Sequence, residues 1–198
     1  MRLEVQVVVV GADVGQLTRG AGVSSAAALS PLCIPSPEGR EIPELTSAAA
    51  GGGIISSVHG VRESSKEVLL AKLLVRLDRF LALGTTTVEA KTGYGLSLED
   101  ELKCLEVIRD AAAQHPVELV PTFLGAHDYP PEFKDRKAEY VDLLIQEMLP
   151  AVAERGLAEY ADIFTESHVF GIEDSRRIMG RAAELGFRLR LHVDQLSP

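Results

Sequence analysis

A chain of 198 residues, 46% hydrophobic and 25% charged, has room for one large domain or two small ones and the composition of a globular protein. Twenty Lys and Arg against 29 Asp and Glu leave a net charge of -9, which argues against a nucleic-acid partner and against a polybasic membrane anchor. The absence of Trp disfavours stacking platforms for single strands, and two distant cysteines, Cys33 and Cys104, exclude a disulfide scaffold and fit a reducing, cytoplasmic setting.

The first apolar run, in Met1–Gly11, is broken by Glu4 and Gln6. It reads as one buried strand, far short of the roughly 20 residues of a membrane span and unlike a signal peptide. Residues 12–50 are rich in Ala, Ser, Gly and Pro and keep neither strand nor helix periodicity, so a loop is expected there. The stretch Ala48–Gly53 marks a hinge or a close backbone approach, and the chain divides into an atypical segment 1–50 and a regular segment 51–198.

From Ser64 the pattern becomes regular. Ser64 and Glu67 resemble a capping box, followed by a helix with Val68, Leu69, Ala71, Lys72, Leu74, Val75, Leu77, Phe80 and Leu81 on its expected apolar face and Gly84 at its end. Thr85–Ala90 is strand-like, and Ser97 opens a second helix. Val117–Leu124 predicts a strand, Lys137–Arg155 a third helix, Tyr160–Glu166 a strand, Glu173–Leu185 a helix and Arg188–Val193 a last strand. Helix, glycine, strand, repeated every 30–40 residues or so, predicts stacked βα units and a parallel sheet, either doubly wound or part of a barrel. No G-x-G-x-x-G follows a strand, which removes the main sign of a dinucleotide-binding sheet.

In such folds chemistry gathers at the C-terminal ends of strands. Here those ends carry Lys91 and Tyr94, then His127 and Asp128, then Glu166 and His168, then His192, Asp194 and Gln195. Tyr94 lies between two glycines, which would hold its phenol over a cavity or merely fill a turn. His127 follows Gly125 and Ala126, small residues that admit a ligand to the backbone, or is simply a histidine that starts a loop. His168 reads as a solvent-facing or capping residue, His59 as part of a turn-to-helix entry, and His115 as structural. His192 ends an alternating strand, with Asp194 expected on its side, and an imidazole there suits a divalent metal.

The runs VEAKTGYGLSLEDELKCLEVIRDA (88–111), TFLGAHDYPPEFKDR (122–136), QEMLPAVAERGLAEYADIFTESHVF (146–170) and LHVDQLSP (191–198), with the triple glycine of 49–65, resemble imidazolonepropionases of the metal-dependent amidohydrolase superfamily. The resemblance covers residues 45–198 and implies a partial (β/α)8 TIM-type barrel, about half of one, with parallel strands and outer helices. It implies hydrolysis of 4-imidazolone-5-propanoate to N-formimidoyl-L-glutamate in histidine degradation, by a metal-activated water. The metal would be one Zn or Fe ion held by His192. Tyr94 and His127 would bind substrate, His127 at the ring carbonyl, where it also stabilises the developing oxyanion, and Tyr94 near the propionate. Gln195 stands where many relatives carry a glutamate that orients the attacking water; its amide can hold a water but cannot take its proton. The family pattern also asks for a His-x-His pair and a late aspartate, and the chain contains no His-x-His. A truncated chain with an incomplete ligand set, weak metal binding and little turnover of its own is therefore expected. The expected partner is a small molecule, with no nucleic acid and no membrane; a homodimer is compatible with the sequence. An inactive amidohydrolase-like fragment, an interaction module and a related cyclic amidohydrolase are the alternatives.

Overall fold

A computed structural model describes residues 4–9, 18–19 and 54–194, with side chains from Ser57 onward. The loop expected over residues 12–50, the triple glycine and Gln195 lie outside the described residues, apart from the short strand at Thr18–Arg19. The strands are β1 (Glu4–Val9), β2 (Thr18–Arg19), β3 (Thr87–Lys91), β4 (Glu118–Ala126), β5 (Tyr160–Ile163) and β6 (Arg188–Leu189). The helices are α1 (Ile54–Glu63), α2 (Lys66–Ala82), α3 (Leu98–Ala112), α4 (Lys137–Leu143), α5 (Leu149–Glu154) and α6 (Ile172–Glu184).

Among the described residues the strands form one sheet in the order β2-β1-β3-β4-β5-β6, parallel throughout except for the antiparallel pairing of β2 with β1. Each crossover between parallel strands advances one place in the same direction. A doubly wound sheet reverses direction at its switch point; this one does not, so right-handed crossovers bring the intervening helices to a single face. This singly wound order is the one a barrel uses.

Helix α2 forms because Leu69, Leu73, Leu77 and Phe80, at spacings of four, four and three, make one buried stripe. Its cap is Ser65, whose Oγ accepts the Val68 N–H at 3.4 Å, while the Ser64 hydroxyl donates back to the Gly60 carbonyl of α1 at 2.6 Å. The capping box expected at Ser64 and Glu67 is thus displaced by one residue. Helix α3 starts at Ser97 as expected, with Leu102, Leu105, Ile108 and Ala111 buried. Helix α1 has no counterpart among the expected elements, and His59 stands exposed within it rather than at a helix entry.

The single helix expected over 137–155 is α4, a π-helical turn (Leu144–Met148) and α5 in series. Pro150 has no N–H to give to the carbonyl four residues back, which lies inside the widened turn. Leu149 N–H reaches five residues back to Leu144 instead.

The apolar core lies between helices and sheet, with Val88 and Ala90 of β3, Phe123 of β4 and Ile163 of β5 against Leu105, Ile108, Leu144 and Met148. Burying a side chain of this size contributes about 1.5–3 kcal/mol. The strand residues that alternate with these, Glu89, Lys91, Thr122 and Asp162, face the other way and are buried and polar. No helix among the described residues is long and apolar enough to cross a membrane.

Candidate active site

Strand β3 runs into the loop Thr92–Leu96, which is tied down on three sides. From below, the carboxylate of Glu101 in α3 accepts the N–H groups of Gly93 (3.0 Å), Gly95 (2.9 Å) and Leu96 (2.9 Å). From α1, Arg62 donates through Nε to the Gly95 carbonyl at 2.8 Å and through Nη2 to the Leu96 carbonyl at 3.3 Å. Nδ1 of His127 lies 3.0 Å from the Gly93 carbonyl. This clamp holds Leu96 in the left-handed region at φ +51°, a conformation costing a branched residue about 1–2 kcal/mol. Gly93, at φ +103°, could not be replaced without displacement, since a Cβ there would stand 2.6 Å from the Leu124 carbonyl oxygen and 3.0 Å from His127 Nδ1.

Glu101 is wholly buried; burial pushes its carboxyl pKa up, against the opposing pull of its donors. Nothing in the local sequence distinguishes Glu101 from the other acids of the first turn of α3, Glu99 and Asp100. Its partners sit five to eight residues back, in the glycine loop.

The loop places Tyr94 3% exposed, its ring edge-on to His127 with centroids 5.0 Å apart. Burial pushes the tyrosine pKa up to about 12, so the phenol keeps its proton. His127, at the end of β4, is pushed down to about 4, first by burial. It is therefore neutral at pH 7. Phe164, just past β5, is the hub of the strand ends: its centroid is 5.9 Å from His127, 6.0 Å from His168 and 6.3 Å from His192. Tyr94, His127 and His192 are thus brought to one end of the sheet, as expected. His168 joins them at the rim and is exposed, in line with a solvent-facing residue.

Below this aromatic rim lies a charge network. Lys91 Nζ bonds Glu89 at 2.7 Å and Asp162 at 2.6 Å, tying β3 to β5 across β4. The Thr122 hydroxyl of β4 donates to the same Glu89 oxygen at 2.7 Å, and Arg190 Nε stands 2.9 Å from it. Asp162 Oδ2 is 2.9 Å from His192 Nδ1. Both Arg190 Nε and His192 Nδ1 lie off the hydrogen-bonding direction of these carboxylates and are buried without another partner. Burial works to raise the Asp162 pKa, but His192 and Lys91 outweigh it and hold the carboxyl below its ordinary value. The strand-end pattern had not marked Glu89 or Asp162.

His192 is positioned less regularly than its sequence alternation suggests. Strand β6 covers only Arg188–Leu189; His192 is bridged to Phe164, donating its N–H to the Ile163 carbonyl at 2.9 Å. Asp194 has φ +54°, so the strand does not continue to place it beside His192.

The donor chemistry here fits one position of a metal's coordination. An imidazole whose Nδ1 stands 2.9 Å from a carboxylate leaves Nε2 for an ion, the same pair of groups that stands behind many metal-bound histidines, here without the hydrogen bond between them. It does not supply a complete set, because among the described residues no group of three or more His, Cys, Asp or Glu is placed to hold an ion.

No family model matches the chain. It is 56% identical over 151 residues to the imidazolonepropionase of Symbiobacterium thermophilum, 76% of this chain and 36% of that protein. To that of Treponema denticola it is 51% identical over 150 residues, again 76% and 36%. To that of Alkaliphilus metalliredigens it is 50% identical over 155 residues, 78% and 37%. The chain thus spans 36–37% of the length of these curated relatives. Among solved structures, a Mg-complexed dipeptide epimerase from Methylococcus capsulatus covers 62% of this chain and 44% of its own at 16% identity, with a TM-score of 0.26, too low to bear on the fold.

Proposed function

We propose that the chain is the part of an imidazolonepropionase that carries the middle of its barrel, and that the complete enzyme hydrolyses 4-imidazolone-5-propanoate to N-formimidoyl-L-glutamate. The observation that carries this reading is the identity of about one residue in two to enzymes of that name over three quarters of the chain. The singly wound sheet agrees with it, since the parallel strands β1, β3, β4, β5 and β6 follow one another across the sheet in chain order, as the strands of an opened portion of a barrel would. The regular unit at 51–198 then supplies β3 to β6 of that barrel, while the atypical segment 1–50 contributes β1 and β2 on the far side of β3.

In this reading His192 supplies one ligand of a Zn or Fe ion, and Asp162 sets the orientation of its ring. Such an ion, when bound, lowers the pKa of its water toward neutrality. The chain's own residues do the rest of what is proposed here. Tyr94, its phenol protonated, offers a hydrogen-bond donor to the propionate arm. His127, neutral and enclosed, contacts the ring. Phe164 keeps water from the space between them. Gln195 orients the attacking water through its amide without accepting its proton. A reducing, cytoplasmic setting suits a buried thiol such as Cys104.

The test is ring opening followed by loss of imidazolone absorbance, with the 198-residue chain and with a longer product of the same gene. Turnover by the longer product, with little from the 198 residues alone, is the expected outcome. If the longer product binds the compound without turning it over, the inactive-module alternative takes its place. If Tyr94→Phe and His127→Ala leave the longer enzyme's kcat/KM unchanged, the site assignment is wrong.

A further inference from the structure

The Gly93 carbonyl can only accept a hydrogen bond. The nitrogen facing it, Nδ1 of His127 at 3.0 Å, must therefore carry the proton. A neutral imidazole holds one proton, and its burial favours the neutral form. Nε2 is left with a bare lone pair, since the ring's one proton is committed to the Gly93 carbonyl through Nδ1. The ring cannot turn over to exchange its nitrogens without abandoning the carbonyl. The Tyr94 and Phe164 rings flank it edge-on at 5.0 and 5.9 Å.

The carbonyl itself is fixed. Its peptide unit lies between two N–H groups, those of Gly93 and Gly95, that both donate to Glu101. Glu101 can satisfy three donors because a carboxylate only accepts; a carboxamide would turn an NH2 group toward one of them.

We propose that His127 binds its ligand as a hydrogen-bond acceptor through Nε2, contacting a ring N–H of a cyclic amide and not its carbonyl oxygen, with Glu101 as the positioning residue that enforces this polarity. The inference rests on the proposed function for the identity of the ring, and it reverses the carbonyl contact that the family resemblance implies. It also removes His127 from the stabilisation of the oxyanion, because a bare nitrogen repels a developing negative charge. The contact instead discriminates: a ligand without a donor at that place leaves a buried lone pair unpaired.

The test begins with the 198-residue chain, 15N-labelled in histidine, by long-range nitrogen–proton NMR at pH 7. His127→Gln assigns the resonance. Expected is a protonated Nδ1 with Nε2 at the shift of a bare ring nitrogen. A protonated Nε2, or a doubly protonated ring, overturns the proposal, and neither result depends on any substrate. In Glu101→Gln the His127 signals should move toward a tautomer mixture; if that variant fails to fold, the unmodified chain still decides. An unchanged spectrum in a folded Glu101→Gln chain overturns the role of Glu101.

In the longer product, 4-imidazolone-5-propanoate methylated at the nitrogen that His127 contacts should show KM raised about tenfold, the equivalent of 1.4 kcal/mol. If neither N-methyl derivative differs from the parent compound, the acceptor contact is wrong. If the parent compound is not bound at all, the proposed function falls, and the tautomer still stands or falls by the NMR result.

Discussion

Enclosure of His127 between Tyr94 and Phe164 sets a pH dependence that can be worked out in sign. Its folded pKa of about 4 lies below the ordinary 6.5, so between these values the unfolded chain binds a proton that the folded chain refuses. Stability should be complete above pH 6.5 and fall as the pH drops toward 4, by about 3 kcal/mol for a shift of this size. Urea midpoints across that range check this, and His127→Phe should flatten the slope. Lys91 gives a second test. Replacing it by Met leaves Glu89 and Asp162 buried with their shared cation gone, which should cost about 3–5 kcal/mol in a denaturant titration. What was legible at this scale follows from position. Tyr94, His127 and His192 stand where strands end, the first two beside small residues, and that location carries meaning without knowledge of any partner. Glu89, Glu101 and Asp162 had no such marker. A carboxylate in a strand or a first helical turn reads as solvated until its partner is known, and Asp162 finds Lys91 71 residues away.

Elements were legible where local rules suffice. Ser97 was identifiable as the hydroxyl just before the run Leu98, Leu102, Leu105, Ile108 and Ala112 at spacings of three and four, and its Oγ accepts the Asp100 N–H at 3.2 Å. Ser97→Ala should therefore lower stability by about 1 kcal/mol, read as a shift in urea midpoint. The same substitution at Ser64, the cap expected from sequence, should cost less than at Ser65. Two hydroxyls in a row satisfy the same spacing rule, and only the bond from Ser64 to Gly60 shows which one belongs to the preceding helix. Helix α1 was missed for a different reason: Ile54, Val58 and Val61 keep the helical spacing of four and three, but the triple glycine before them and Gly60 among them are loop signals. Pro150 lies inside the segment read as one continuous helix, and a proline alone does not say whether the chain will break, kink or widen.

For the whole molecule, the repeat of helix, glycine and strand announced a parallel sheet but left its winding open. Strand order closed that question, since only the coordinates show each crossover advancing the same way. The sheet's last described strand, β6, and the segment after it leave Leu189, Leu191 and Val193 exposed at 39%, 44% and 43%, side chains that parallel sheets ordinarily bury. Such an edge invites pairing with another chain. Leu191→Lys should reduce self-association of the 198-residue chain in size-exclusion runs at high concentration while moving the unfolding free energy by less than about 0.5 kcal/mol.

The bond from β3 to β5 through Lys91 passes beneath the strand between them, and Thr122 of that strand fastens to the same carboxylate. Three neighbouring strands are thereby riveted into a plate that cannot shear internally without breaking a salt bridge away from water. Loops mounted on that plate can be rebuilt, lengthened or exchanged for other specificities, while the anchorage beneath them keeps its shape; the amides of the plate should be the last in the molecule to exchange with deuterium.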